Sequence, residues 1–324
     1  MKTVPIWVGV FAVCATACSA NEKVSTDRTA ASSASAGAST RSATTPSARP
    51  ALDAGETMQS VITGSVWVRV RGFGAGVPTV LVPGAPGTGS YLLKGFETIG
   101  QDRNVLRYDL LGTGRSDPLP DTAIVSPRRA ADDLESLRRV MKIERWSVVG
   151  HSYGAAIAVA YASARPREVV GLVLISPLFA NDADSAHTMS TLLRSLDSSA
   201  YAADLDSMRT MPGALVDASI RRTLSDTANG GISLQAAADV LRKWKVPTLI
   251  IVGARDSVGL RSAKALTKAL PSATLTMIPN VGAFAPVEAR DATRDAVRAF
   301  LTSIEPTIKA SAPIQKAGPR SGFD

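Results

Sequence analysis

A pentapeptide with a serine at its centre is the strongest chemical signal in this chain. Residues 150–154 read Gly-His-Ser-Tyr-Gly, between a strand-like run and a helix-like run of small residues. On such a tight strand-to-helix turn the serine hydroxyl is exposed at the end of the strand, and the free N–H groups of the helix can stabilise an oxyanion. Ser152 is therefore a candidate nucleophile, and the backbone N–H of Tyr153 is a candidate oxyanion-hole donor.

Two other strand ends offer groups that could act with Ser152. Asp256 follows the apolar run 248–252, and ligands bind at the carboxyl ends of strands in open α/β sheets. We interpret Asp256 as the acid partner of the serine, and the alternative is an aspartate that caps the next helix. The loop 83–87 follows an earlier strand-like run, and the backbone N–H of Ala85 is the second candidate oxyanion-hole donor.

A sheet has to bring these groups together, and the chain alternates strand-like with helix-like segments. Short apolar runs suit parallel strands that are covered on both faces, whereas residues 66–70 alternate like an edge strand. This alternation predicts an α/β fold with a mostly parallel sheet and helices on both faces. From about residue 179 to residue 241 the alternation of strand-like and helix-like segments stops, which indicates a helical cap inserted between two strands. The strand-like runs are 79–82, 105–108, 146–149, 170–175, 248–252 and 274–278, and the helical patterns are 127–141, 153–164, 262–270 and 288–301.

The motifs together resemble the α/β-hydrolase family, in the style of its proline-iminopeptidase-like branch. The resemblance covers about residues 60–303 and rests on the 83–87 loop, the 109–116 turn, the serine pentapeptide, Asp256 and the 280–286 turn. It implies an eight-stranded sheet and a Ser–Asp–His triad that hydrolyses esters, amides or related bonds. It implies neither a cofactor nor a metal ion.

The catalytic histidine of the family pattern is absent from this chain. Its position corresponds to Ala283, and a methyl group cannot accept the proton that a serine nucleophile must lose. In a serine protease, removing this histidine lowers turnover about a million-fold. The chain has two histidines. We expect His151 to make a local hydrogen bond and His187 to be solvated in the cap, with His187 as a substitute base left open as an alternative.

Net charge does not indicate a nucleic-acid partner, although the chain carries a formal charge of +8 and has a pI near 9.7. The basic residues are scattered, as at 128–129 and 221–222, and aromatic residues make up only 5% of the chain. A basic stripe interleaved with aromatic residues is missing. We expect no nucleic-acid partner, a small ester or amide as substrate or ligand, and a monomer.

The N-terminus has the pattern of a bacterial export signal. Lys2 precedes a short apolar stretch that ends in the small residues 15–17, and Cys18 follows directly. This pattern favours a lipoprotein that is acylated at Cys18 and held at the membrane by that lipid alone, with ordinary secretion as the alternative. Both cysteines lie in this segment, so we expect no disulfide in the mature domain.

The remaining composition divides the chain into four segments. Residues 1–18 form the signal, and the Ala-, Ser- and Thr-rich stretch 19–55 is predicted to be a disordered linker. The hydrolase-like domain is 56–303, and 304–324 is predicted to be a disordered tail.

The sequence predicts a cell-envelope protein that acts on small carboxylic esters or amides through Ser152 and Asp256. Ala283 is expected to leave it inactive or strongly impaired. One alternative is a pseudoenzyme that binds a small ligand without turnover. Another is an envelope scaffold whose cap contacts a protein partner.

Overall fold

Eight strands form one sheet in the computed structural model, which describes residues 52–72, 74–84, 89–119, 126–179 and 232–305. The strand order is β1-β2-β4-β3-β5-β6-β7-β8. β2 runs antiparallel to β1 and β4, and all later neighbours are parallel. The predicted mostly parallel sheet is confirmed. The strands are β1 (Glu56–Ser60), β2 (Ser65–Arg71), β3 (Gly76–Val82), β4 (Arg103–Tyr108), β5 (Trp146–His151), β6 (Val169–Ile175), β7 (Thr248–Gly253) and β8 (Thr274–Ile278).

Helices cover both faces of this sheet. Leu134 of α1, Ile157 of α2 and Leu241 of α3 belong to the larger apolar core on one face. Phe96 of a 3₁₀ helix and Leu301 of α6 belong to the core on the other face. Strands β5, β6 and β7 are buried at every position, because they have a helical layer on both sides. The helices are α1 (Pro127–Val140), α2 (Tyr153–Ala164), α3 (Leu234–Lys243), α4 (Ser257–Ala269), α5 (Ala285–Glu288), α6 (Arg290–Ile304) and the 3₁₀ helix Tyr91–Ile99.

Helix α2, which begins directly after Ser152, lies inside the core. It is built largely from alanine and other apolar residues and is buried on nearly all sides. A helix that is apolar all round is stable only inside a protein. Its small side chains let α1, α3, β5 and β6 pack around it, and this fixes the direction in which the chain leaves β5.

Two predicted boundaries differ from the structure. The predicted cap ended near residue 241, but α3 packs through Ala237, Ala238 and Leu241 against the main core, so that boundary is too late. Residues 180–231 of the cap lie outside the described residues. The predicted closing helix 288–301 is divided into α5 and α6 at Ala289, whose backbone (φ −141°, ψ 56°) is not helical.

Several predictions concern residues outside the described ranges. These include the signal with Cys18, the linker up to residue 51, His187, and the tail from residue 306. Within the described ranges, no helix is long and apolar enough to cross a membrane.

A buried carboxylate joins the 3₁₀ helix to the antiparallel end of the sheet. The side chain of Glu97 is 2% exposed and pairs with Arg107, which is itself buried. Arg69 and Arg71 approach the same carboxylate at 3.7 and 3.8 Å. Arg107 also donates to the Ser90 hydroxyl at 2.8 Å. Because the Glu97–Arg107 pair is buried, it holds β4 and the 3₁₀ helix together, and the more exposed Arg69 and Arg71 add β2 to the same carboxylate.

Replacing this carboxylate should destabilise the protein strongly. We expect Glu97→Leu to lower the free energy of unfolding by about 3–5 kcal/mol, because it leaves the buried Arg107 without its partner. The matched control is Asp239→Asn, which removes an exposed pair with Arg242 (N–O distance 3.1 Å) and should cost less than about 1 kcal/mol. Urea unfolding measures both, and equal losses would contradict a structural role for Glu97.

Candidate active site

Ser152 occupies a strained position between β5 and α2. Its backbone angles are φ 53° and ψ −120°, in the positive-φ region that residues other than glycine seldom adopt. The Ser152 N–H donates to the Ile175 carbonyl at 2.9 Å, and the Ser152 carbonyl accepts from Leu178 at 3.2 Å. These bonds to the end of β6 and the residues after it hold the strained turn. Such strain at a strand-to-helix turn is the geometry of a nucleophile elbow.

Glycines on both sides of Ser152 allow three backbone segments to meet. A Cβ atom on Gly150 would lie 2.3 Å from the Gly154 carbonyl oxygen, and one on Gly154 would lie 2.3 Å from the Pro83 carbonyl oxygen. Both distances are far below van der Waals contact. The two glycines therefore let β5, α2 and the end of β3 pack closely, which a larger residue at either position would prevent.

This contact brings the loop after β3 to Ser152. A Cβ atom on Gly84 would lie 3.4 Å from the Ser152 Cβ. Ala85, the next residue, lies outside the described residues, so its role as an oxyanion-hole donor stays a prediction. Tyr153 is the first residue of α2, and its N–H is among those that a helix N-terminus leaves unpaired. Its role as the other donor is likewise a prediction.

Asp256 lies at the carboxyl end of β7, buried, and uses its two oxygens differently. Oδ1 accepts a hydrogen bond from the Gly259 N–H at 2.8 Å and so caps α4. Oδ2 has no hydrogen-bond partner among the described residues. The two sequence interpretations of Asp256 are therefore compatible, since one oxygen caps the helix and the other is unused.

The groups around Asp256 shift its pKa in both directions. Burial is the largest effect and raises its pKa. The Gly259 N–H lowers the pKa, and so does the hydroxyl of Ser176, which lies close to the carboxylate. The negative charge of Glu288 raises it. Because burial outweighs these donors, a further positive or hydrogen-donating partner would stabilise the charge of Asp256.

Ser176 is a site residue that the sequence analysis missed. It is buried at the carboxyl end of β6, has a positive φ of 44°, and donates its N–H to the Ile251 carbonyl at 2.8 Å. Its side-chain hydroxyl has no partner in the described part of the structure. The available signal was a polar residue directly after an apolar strand, the same signal that identified Asp256.

The turn that carries Ala283 contacts both the serine elbow and the aspartate segment. The Val281 carbonyl accepts from the Arg255 N–H at 2.8 Å, one residue before Asp256. The Ala283 carbonyl lies 3.2 Å from the Nε2 atom of His151, one residue before Ser152. The three predicted positions therefore meet at one edge of the sheet.

Glu288 gives this turn its shape. Its carboxylate accepts from the N–H groups of Gly282 at 2.7 Å and Phe284 at 3.0 Å, on either side of Ala283. The carboxylate thereby fixes the backbone at residue 283, whatever side chain that residue carries.

His151 bonds across the site and not to its sequence neighbours, so the expected local hydrogen bond is replaced by a long-range one. The Ala283 carbonyl can only accept, so Nε2 carries the hydrogen and Nδ1 is the free acceptor. Nδ1 has no partner in the described ranges. Burial lowers the pKa of His151 to about 4, against the opposing effect of its bond to Ala283. His151 is therefore a neutral imidazole at neutral pH and a weak base.

In the described residues, no cluster of three or more His, Cys, Asp or Glu side chains could hold a metal ion. The chemistry available at this edge is that of a strained serine, helix N–H groups and a buried carboxylate.

Comparison with known proteins agrees with this arrangement. A family model described as the α/β hydrolase fold matches residues 78–231, which include the elbow. The chain has the α/β-hydrolase fold. Among solved structures, this α/β-hydrolase-fold protein superposes on the enol-lactonase from Burkholderia xenovorans with a TM-score of 0.63 at 20% identity, over 76% of this chain and 100% of that chain.

Two proline iminopeptidases are similar to this α/β-hydrolase-fold protein in sequence. That of Heyndrickxia coagulans is 34% identical over 104 residues, which cover 32% of this chain and only 36% of the relative. That of Saccharolobus solfataricus is 26% identical over 272 residues, which cover 73% of this chain and 87% of the relative. The first match is thus confined to about a third of each protein, and the second extends over most of both.

The burial of His151 predicts that the protein loses stability in acid. Its pKa falls from 6.5 to about 4 on folding, so the unfolded chain binds the proton more readily. The free energy of unfolding should therefore drop as pH falls through 6.5 toward 4, by about 3 kcal/mol from this residue. His151→Gln cannot take up that proton and should lose correspondingly less stability. Urea unfolding across this pH range measures the difference, and parallel curves for the two proteins would contradict a buried neutral imidazole.

Proposed function

We propose that this protein binds a small carboxylic ester or amide at Ser152 and hydrolyses it only slowly, because Ala283 replaces the base. The observation that carries this proposal is Asp256 Oδ2, a buried carboxylate oxygen without a partner among the described residues. It lies in the segment that is bonded to the Ala283 turn. A carboxylate of this kind orients a histidine in a Ser–His–Asp triad.

The proposed reaction starts with attack of the Ser152 oxygen on the substrate carbonyl carbon. The helix N-terminus at Tyr153 supports the developing oxyanion with its N–H group and with the positive end of the helix dipole. The hydroxyl proton then has no efficient acceptor. Asp256 is buried and already caps α4, and the low pKa of His151 makes it a weak base.

The missing base has a predictable kinetic cost. An enzyme of ordinary activity turns over at about 10 per second. A loss of about a million-fold would leave about one turnover per day. The oxyanion hole and substrate binding alone would still accelerate the reaction about a thousand-fold over water. The proposal therefore predicts a weak esterase that activated esters can reveal.

A second candidate function is that of an envelope pseudoenzyme that binds a small ligand or a protein partner without turnover. Ala283 itself favours this candidate, because binding needs no proton acceptor. The two candidates differ in whether the rest of the site keeps catalytic geometry.

Restoring the histidine tests the proposed function. We expect Ala283→His to raise hydrolysis of a short-chain p-nitrophenyl ester by at least about a hundred-fold, a conservative part of the loss known for a missing triad histidine. Ser152→Ala in the restored protein should abolish the gain. An unchanged rate in a folded Ala283→His protein would favour the pseudoenzyme. Ordinary turnover by the unmodified protein would show that another base acts, and His187→Ala would then identify it.

We further propose that the protein is exported and acylated at Cys18, because this cysteine directly follows the small residues 15–17. Metabolic labelling with a palmitate analogue should mark the unmodified protein, and Cys18→Ser should lose the mark. Equal labelling of the two would contradict the lipid anchor.

A further inference from the structure

Three buried polar side-chain atoms lie at the carboxyl ends of β5, β6 and β7. They are Nδ1 of His151, the hydroxyl oxygen of Ser176 and Oδ2 of Asp256, none of which has a hydrogen-bond partner within the described residues. His151 bonds to Ala283, and Ser176 acts on the pKa of Asp256. Buried polar atoms are nearly always paired, so Asp256 Oδ2, which has only the nearby Ser176 hydroxyl to stabilise it among the described residues, indicates a need for a further hydrogen-bond donor.

We propose that the position beside Ala283 binds a ligand or substrate that carries a neutral imidazole or a similar nitrogen heterocycle, which serves as the missing base. This inference rests on the proposed function, since it uses the same Ser152 and Asp256. Ser152 is only half-buried and Ala283 keeps 9% of its surface exposed, whereas Asp256 is 2% exposed. A small ring would therefore enter from the Ser152 side and reach toward the aspartate.

The charges at the site select the chemical class of this ligand. The group must donate a hydrogen bond to Asp256 Oδ2 and accept the proton of the Ser152 hydroxyl. An alkylamine is protonated at neutral pH, with a pKa near 10, and so can donate but cannot accept. A carboxylate would be repelled by Asp256 and Glu288. A neutral imidazole has one N–H donor and one free acceptor nitrogen, and its pKa lies near neutral pH.

His151 cannot fill this role by itself. Its Nε2–H is already bonded to the Ala283 carbonyl, and burial holds its pKa at about 4. A ligand imidazole at the more exposed side would keep a pKa closer to the ordinary value, which suits a general base at neutral pH.

The proposed step conserves every atom and proton. The Ser152 oxygen forms a bond to the carbonyl carbon while its proton moves to the acceptor nitrogen of the heterocycle. When the tetrahedral intermediate collapses, the heterocycle gives that proton to the leaving oxygen or nitrogen, and the bond from the carbonyl carbon to this leaving atom breaks. Water then attacks the carbonyl carbon of the acyl group on Ser152 while the heterocycle takes a proton from the water. The heterocycle returns that proton to the serine oxygen as the bond from the carbonyl carbon to this oxygen breaks.

The test uses free imidazole as the probe. p-Nitrophenyl acetate hydrolysis by the whole protein is measured against imidazole concentration, and the rate with Ser152→Ala is subtracted to remove cleavage by imidazole in solution. We expect a saturable increase of about ten-fold or more, below the full contribution of a positioned general base because the ring is not tethered. Labelling of Ser152 by a fluorophosphonate, followed by intact mass, should accelerate with the same concentration dependence.

Two matched comparisons decide whether the ring sits against Asp256. 1-Methylimidazole accepts a proton but has no N–H to donate to Asp256, so it should rescue much less than imidazole. Asp256→Asn should likewise weaken the rescue. Equal acceleration by the two heterocycles, or an increase that is linear and unaffected by Asp256→Asn, would overturn the inference.

The Ala283→His variant distinguishes failure of this inference from failure of the proposed function. Ala283→His places an imidazole in the position and should make the rate insensitive to added imidazole. If Ala283→His is active but imidazole has no effect on the unmodified protein, the ligand site is wrong and the proposed function stands. If neither accelerates the reaction, both are wrong.

Discussion

The crowding of backbone atoms around Ser152 is the constraint on which the rest of the site depends. There is no room for a side chain between Gly150 and the Gly154 carbonyl, or between Gly154 and the Pro83 carbonyl. This packing forces the chain to leave β5 and enter α2 through a serine at positive φ. The same packing holds Gly84 beside the serine. One local close approach thereby positions the nucleophile, the helix N-terminus and the neighbouring loop together.

The part of the site around Ala283 and Asp256 differs from the Ser152 turn. Its segments are held together, but a buried polar atom there lacks a hydrogen-bond partner among the described residues. Glu288 shapes the Ala283 turn, and that turn bonds to the segments before Ser152 and Asp256. The turn takes part in each of these contacts through its backbone atoms, so the contacts do not depend on the side chain at residue 283. The turn therefore keeps its shape with alanine at residue 283, and Oδ2 of the neighbouring Asp256 has no hydrogen-bond partner among the described residues.

The sequence predicted the elements whose signal is local. The serine elbow could be recognised because its glycines lie between an apolar strand and a helix of small residues, and Asp256 because it ends another apolar strand. Ser176 was missed because it has no motif around it, and only its spatial neighbour Asp256 gives it meaning. The end of the cap was placed too late because the helical pattern of α3 does not show whether the helix packs on the sheet or above it.

Long-range pairings were out of reach for a similar reason. The bond from His151 to Ala283 joins residues that are 132 positions apart. The burial of Glu97 among arginines depends on the register of β2 and β4 against a helix, which composition does not encode. In both cases the two partners come together only when the sheet has formed.

We infer that this site keeps the geometry of a triad and lacks only its proton carrier. A crystal structure of Ala283→His tests this most directly. We expect the introduced imidazole to lie between the side chains of Asp256 and Ser152, with one nitrogen about 3 Å from Asp256 Oδ2 and the other about 3 Å from the Ser152 hydroxyl. An imidazole turned to solvent, with Asp256 still engaged only with Gly259, would contradict it.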